Sequence, residues 1–259
     1  MSLETPVFRS ILLHPRYWPT WLAMGLWWLV AQLPLLALVA LGGLVGRLMY
    51  LIGGDRRRIV QRNIELCFPE LSEAERHDLI RRNFSNYGVG LFEVAIGWWW
   101  SNRRLSKVVR LEGLHHLTDL QGRGGLLMAM HFTTLEIGGQ TLNMALSIDA
   151  MYRPHKNLVY DYLQRKARVK RRSDCYAYPR KDVRGVMKAL KAGRIVWYAP
   201  DQDYGAKQSV FVPFFGVSAA SVTATAKFAR AGNAQVFPFT HCRRADNSGI
   251  AEFAAALAG

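Results

Sequence analysis

From Tyr17 to Gly46 the chain carries no charged residue, and the stretch TWLAMGLWWLVAQLPLLALVALGGLVG within it is almost wholly apolar. A helix needs ~20 such residues to cross the hydrocarbon core of a bilayer. The run therefore predicts an N-terminal membrane helix. A cleaved signal peptide fits poorly, because the run is too long, no A-x-A site ends it and a basic cluster follows. Trp18, Trp21, Trp27 and Trp28 gather near one end, where amphipathic rings favour the membrane–water interface. Gln32 and Pro34 leave a bent, re-entrant or partly interfacial course open.

Positive charge follows the run: Arg47, Arg56, Arg57, Arg58 and Arg62 after it, against Arg9 and Arg16 before it. The positive-inside bias then puts the rest of a single-pass chain on the cytoplasmic side. Cys67, Cys175 and Cys242 are far apart and form no CxxC pair, so neither a disulfide framework nor a metal site follows, and a reducing compartment is the simpler reading. The expected organisation is an anchor over residues 1–53 and a cytoplasmic-side domain over residues 54–259. The whole chain has 34 Lys+Arg against 19 Asp+Glu, and its net charge of +15 favours anionic partners: nucleic acid, acidic proteins or phosphate-bearing membranes.

Beyond the anchor, RRRIVQRNIELCF reads as an amphipathic helix ended by Pro69. Ser72 and Glu75 have capping-box spacing and open a helix towards Trp100. Trp98, Trp99 and Trp100 cannot share one helix face, which leaves core packing and membrane-surface contact both open. From residue 107 short apolar runs alternate with helical segments. VVRLEG, GLLMAM, SIDAMY, RIVWYAP, SVFVPF and AQVFPF read as strands, with helices over 134–145, 156–170, 181–192 and 219–231. This alternation predicts an α/β fold with a mostly parallel sheet flanked by helices.

The strongest local feature is GGLLMAMHFTTLEI, in which a buried strand runs into His131 and Thr133 looks like a helix N-cap. Ligands in such sheets bind at the carboxyl ends of strands. Glu136 lies five residues on, within reach of one imidazole nitrogen, which would leave the other to take a proton. Thr133 and Glu136 also have capping-box spacing, so Glu136 has a purely structural alternative. Downstream, Arg153 at a strand end is a candidate for holding a phosphate or polarising a carbonyl. Asp201, Gln202 and Asp203 are candidates for orienting a polar substrate, and Phe214 and Phe215 for lining an acyl slot. Turn chemistry and core packing are the plainer roles for these last residues.

In order, HFTTLE, YRP, PDQDYG and VPFFG resemble the lipid A late acyltransferases, the lauroyl and myristoyl transferases of lipopolysaccharide assembly, and the likeness runs from the anchor to about Phe239. The resemblance implies a glycerolipid acyltransferase-like domain anchored in the bacterial inner membrane, with catalytic His131 and Glu136. It implies an acyl–acyl carrier protein thioester as donor and a 3-hydroxyacyl hydroxyl of a phosphorylated glycolipid as acceptor. On this reading Glu136 orients His131, His131 deprotonates the hydroxyl, and helix-start amides or Arg153 hold the oxyanion. The resemblance implies a chain that continues well past this point to a basic-aromatic segment, whereas this one ends in GIAEFAAALAG, so a truncated or frameshifted C-terminal segment is expected. No G-x-S-x-G elbow, phosphate loop or dinucleotide fingerprint occurs in the sequence, so no nucleophile, cofactor or metal is implied.

The run RKARVKRR supplies Arg165, Lys166, Arg168, Lys170, Arg171 and Arg172. With a membrane anchor nearby and no nucleic-acid motif, these residues point to membrane lipids, the carrier protein or lipid phosphates rather than nucleic acid, a solvated helix face being the neutral alternative. Two rival readings stand beside the main one. The first is an acyltransferase for another glycolipid or a glycerol phospholipid, whose usual H-x-x-x-x-D and E-G-T-R marks are replaced here by Glu136 and DQDYG. The second is a non-catalytic, membrane-tethered binding protein that has kept the fold.

Overall fold

The computed structural model describes residues 6–202, 205–244 and 249–254, the last five by their backbone. The apolar run is not one helix. It forms α1 (Trp18–Val30) and α2 (Leu35–Ile52), separated at Pro34, which lacks the N–H that a continuous helix would need. Of the described helices, α2 is long and apolar enough to cross a membrane, while α1 is only 13 residues long. The break is supported from outside: Trp100 Nε1 donates to the Ala31 carbonyl, and Arg104 donates to those of Gln32 and Leu33. Carbonyls freed by such a break need partners of this kind when buried.

After α3 (Gly54–Cys67) comes α4 (Glu73–Trp99), opened by the expected capping box between Ser72 and Glu75. Helix α2 crosses α4 at close quarters. A Cβ on Gly88 would overlap the Gly42 carbonyl and the Gly46 amide, so the small-xxx-small spacing of α2 lets two backbones touch. Trp98 and Trp100 are buried, which resolves the tryptophan triplet largely in favour of core.

A short α5 (Asn102–Leu105) leads into the sheet domain: β1 (Val109–Glu112), β2 (Gly124–Met128), α6 (Leu135–Ala145), β3 (Ile148–Tyr152), α7 (Leu158–Val169), β4 (Ala177–Pro179), α8 (Val183–Lys191) and β5 (Ile195–Tyr198). Then follow β6 (Ser209–Phe214), β7 (Val217–Val222), α9 (Ala224–Gly232), β8 (Ala234–Arg243) and β9 (Ile250–Ala254). The main sheet has the order β1-β9-β8-β2-β5-β3-β4, in which β8, β2, β5, β3 and β4 are parallel and β9 runs antiparallel to β8. Successive strand residues face opposite sides. Leu127, Trp197 and Phe237 therefore pack with Leu142 of α6, while Leu126, Val196 and Ala234 pack with Leu190 and Phe228.

The expected α/β class and largely parallel sheet are present. The helix expected over 219–231 begins only at Ala224, because Val217–Val222 pairs with β6 as a hairpin. The short edge strand β4 was not foreseen. Residues 250–254 pair with both β8 and β1, so the atypical C-terminal sequence still contributes a strand.

The basic run at the end of α7 also departs from expectation. Arg168, Lys170, Arg171 and Arg172 turn inward rather than forming a solvated face. Lys170 Nζ donates to the carbonyls of Trp98 and Trp100, Arg171 to Gly97 and Trp100, and Arg172 to Ala145. These are C-terminal carbonyls of α4 and α6, which lack intrahelical partners and favour cations. Burial, then the charge of Arg171, pushes Lys170 down to about 8; burial pushes Arg171 down to about 10. Of the other two, Arg165 has a buried Nε without a partner among the described residues, and Lys166 lies over the Tyr162 ring.

Candidate active site

The register of two neighbouring strands builds the site. Met128 of β2 is paired with Tyr198 of β5, so His131 and Asp201, each three residues further on, leave the sheet side by side. Asp201 accepts twice from His131: its Oδ2 from the main-chain N–H at 2.7 Å, its Oδ1 at Nδ1 at 2.6 Å. A carboxylate only accepts, so Nδ1 carries a proton, and in the neutral ring Nε2 is the nitrogen with the free lone pair. Gln202 Nε2 lies 3.3 Å from that atom. A base whose second nitrogen is pinned by a carboxylate is the arrangement that proton abstraction needs.

Glu136 sits elsewhere than the sequence led us to expect. It is buried in the first turn of α6, where the helix N-terminus favours a carboxylate. Its oxygens are engaged by Arg168 and by Trp98 Nε1, the latter at 3.2 Å. The orienting role expected of it at His131 is thus filled by Asp201. Nor is it a capping-box residue: the N-cap is Thr134, which makes no side-chain cap bond and pairs instead with His241. Burial works against the Arg168 charge, but adjacent Glu136 outweighs it and holds the guanidinium above its ordinary range. Burial, followed by the charge of Glu136, also raises the Tyr160 hydroxyl.

His131, Glu136 and Arg168 line one cavity of about 310 Å³ together with Arg153, Arg180, Gln164 and Gln202. Its apolar wall comes from Leu135, Ile148, Ala150, Met151 and Trp197. The cavity therefore joins a base, a cluster of cations and an apolar wall, which suits a substrate with a polar reacting group and an apolar tail. Arg153 and Gln202, both named from the sequence, line this cavity. Asp203 lies outside the described residues. Phe214 and Phe215 do not line this cavity; they are exposed at the tip of the β6–β7 hairpin. Arg180 and Gln164 were missed, and Arg168 was assigned to the surface. The i,i+3 pair Arg165 and Arg168 is the available signal, since it puts two of the basic residues on one stripe of α7.

Behind the site, buried His241 of β8 bonds the Thr134 hydroxyl and packs against Phe132 and Trp197. Burial pushes its imidazole down to about 4, and its Nε2 has no partner among the described residues. It holds the start of α6 in place as a neutral ring.

The sequence profile described as "Bacterial lipid A biosynthesis acyltransferase" matches residues 5–256. The chain is 44% identical over 247 residues to the lipid A biosynthesis lauroyltransferase of Escherichia coli K12, covering 94% of this chain and 80% of the relative. It is 39% identical over 249 residues to the palmitoleoyltransferase of the same organism, covering 95% and 81% of the two chains. Similarity extends to the myristoyltransferase of that strain, at 27% over 241 residues, covering 90% and 73%.

Proposed function

Because the chain belongs to the bacterial lipid A biosynthesis acyltransferase family, we propose that His131 is the general base with which it acylates a hydroxyl of a lipid A precursor. The chain is an acyltransferase of lipid A biosynthesis, akin to the lauroyl- and palmitoleoyltransferases. The observation that carries the catalytic assignment is the Asp201–His131 pair, whose histidine lines a cavity that also holds three arginines.

The donor in this reading is an acyl–acyl carrier protein thioester, and the acceptor is a 3-hydroxyacyl chain of a phosphorylated glycolipid. His131 Nε2 takes the hydroxyl proton as the oxygen attacks the thioester carbonyl. The resulting oxyanion develops within the field of Arg168 and Arg153, with Glu136 fixing the Arg168 guanidinium. Collapse breaks the carbon–sulfur bond, and the departing thiolate recovers the proton from the imidazolium. The thioester is already activated, so the reaction needs no covalent enzyme intermediate.

Residues 1–53 act as the anchor and 54–259 as the acyltransferase domain, on the cytoplasmic side of the bacterial inner membrane. Support comes from α2 and from the arginines that follow the apolar run. The test is acyl transfer in detergent micelles with a panel of acyl–acyl carrier proteins, the matching acyl–coenzyme A compounds and a tetra-acylated lipid A precursor, read by mass spectrometry. A gain of one acyl chain, faster from the carrier protein, is expected. Equal rates from both donors would refute the carrier-protein assignment, and no gain from either would refute the acceptor.

A further inference from the structure

Between Lys207 and Lys227 the chain has no charged residue, and β6 and β7 fold this stretch into a two-stranded hairpin apart from the main sheet. Every residue from Val210 to Ser218 is exposed. Directly paired residues share a face. Val210, Val212, Phe214 and Val217 therefore lie on one side, and Phe211 lies on the other with Ala220. A hairpin apolar on both faces has no soluble reason to stand free, and exposed apolar patches of this kind mark binding or membrane surfaces.

The tip adds a second sign. Phe215 and Gly216 both have positive φ, 50° and 75°, as a two-residue hairpin loop requires. Glycine meets that requirement freely, whereas phenylalanine does so under strain. A large apolar ring at a strained position, still half exposed after packing on Phe68 and Phe214, points to a further use for its open face.

Continuity with α2 identifies what covers it. The Phe215 ring meets Phe68 at the end of α3, at 5.1 Å. Phe68 packs in the same cluster as Met49 and Tyr50, in the last turns of α2. Through Phe68 the hairpin tip thus joins the cluster that holds the last turns of the candidate span, and α3, which links the two, carries the exposed Arg56, Arg58 and Arg62. Basic side chains on the helix that follows the span, together with an apolar hairpin, match an anionic lipid interface.

We propose that the β6–β7 hairpin is a second membrane element, dipping Phe211, Phe214 and Phe215 into the leaflet where α2 emerges. The acceptor being a lipid, this seats the domain on the surface from which its substrate comes, and the hairpin follows closely on Asp201 and Gln202 in the chain. The proposal rests on α2 crossing the membrane.

The full-length protein tests it, reconstituted in vesicles of phosphatidylethanolamine and phosphatidylglycerol and spin-labelled at single cysteines. Phe214→Cys, Leu44→Cys on α2 and Arg184→Cys on α8 are made in a Cys67→Ser, Cys242→Ser background, Cys175 being buried. Collisions with oxygen report lipid, and collisions with an aqueous nickel chelate report water. We expect oxygen to dominate at positions 214 and 44, with the ratio reversed at 184. Lipid at 44 with water at 214 overturns the hairpin proposal alone. Water at both overturns the anchor reading with it. Protection of 214 from both reagents assigns the patch to a protein partner or a second copy, and also overturns the proposal.

Discussion

Replacing Asp201 by asparagine changes one oxygen into an amide group and little else, yet the structure gives that change a specific cost. The native carboxylate accepts from two donors of His131, the main-chain N–H at 2.7 Å and Nδ1 at 2.6 Å. Asparagine offers one acceptor. The main-chain N–H can only donate, so it takes the remaining oxygen and the amide NH2 faces Nδ1. Two donors cannot face each other, and the ring must move its proton to Nε2, the atom meant to receive one from the substrate. A hydrogen bond to a charged group is worth ~1.5–3 kcal/mol. At tenfold per ~1.4 kcal/mol, kcat/KM should fall roughly ten- to 150-fold. The assay is single-turnover acyl transfer in detergent, with circular dichroism to check folding. Asparagine supports turns as well as aspartate does. A folded Asp201→Asn enzyme with wild-type rates would therefore reduce Asp201 to a turn residue and refute the pairing argument.

Three further outcomes are expected. Glu136→Met should strand Arg168 in a buried site and cost ~3–5 kcal/mol of stability, whereas the double variant Glu136→Met, Arg168→Met should melt near the wild type yet remain inactive; recovery of activity in the double variant would make the pair purely structural. The His241 pKa is depressed to about 4, against an ordinary value of 6.5. The unfolded chain therefore binds more protons between those values, and stability is full above pH 6.5 and lost as pH falls towards 4. The loss should reach ~3 kcal/mol, be absent in His241→Asn and be read by melting curves at several pH values; parallel curves for the two proteins would remove His241 as the titrating group. Gly88→Val forces α2 off α4 and should destabilise the protein by ~1–3 kcal/mol, so an unchanged melting temperature in detergent would contradict the close helix crossing.

Periodicity made the main sheet legible. Buried parallel strands such as GLLMAM and IVWY are continuous apolar runs, and the capping box at Ser72 marked the start of a 27-residue helix. What local pattern did not reveal was pairing at long range. Val217–Val222 becomes a strand only because β6 lies beside it, and β4 is a three-residue edge. The same limit governs the site. His131 stands out at the end of a buried strand, but its partner is 70 residues away, where local pattern suggests a substrate contact or a turn residue and not an orienter of the imidazole. Knowing that β2 and β5 are adjacent and in register turns two loop residues into one pair. The basic run misled for a related reason: charge clusters read as surface unless one knows which helix ends they meet, and here those ends belong to α4 and α6.

The central claim is that His131 is the base in acyl transfer, and its most direct test is the turnover of His131→Ala. Purified wild-type and variant protein, shown to be equally folded, are given acyl–acyl carrier protein and the tetra-acylated precursor, and the acylated product is counted by mass spectrometry. Losing a general base should lower kcat by at least ~10²-fold. A folded His131→Ala protein that acylates at near the wild-type rate would contradict the account.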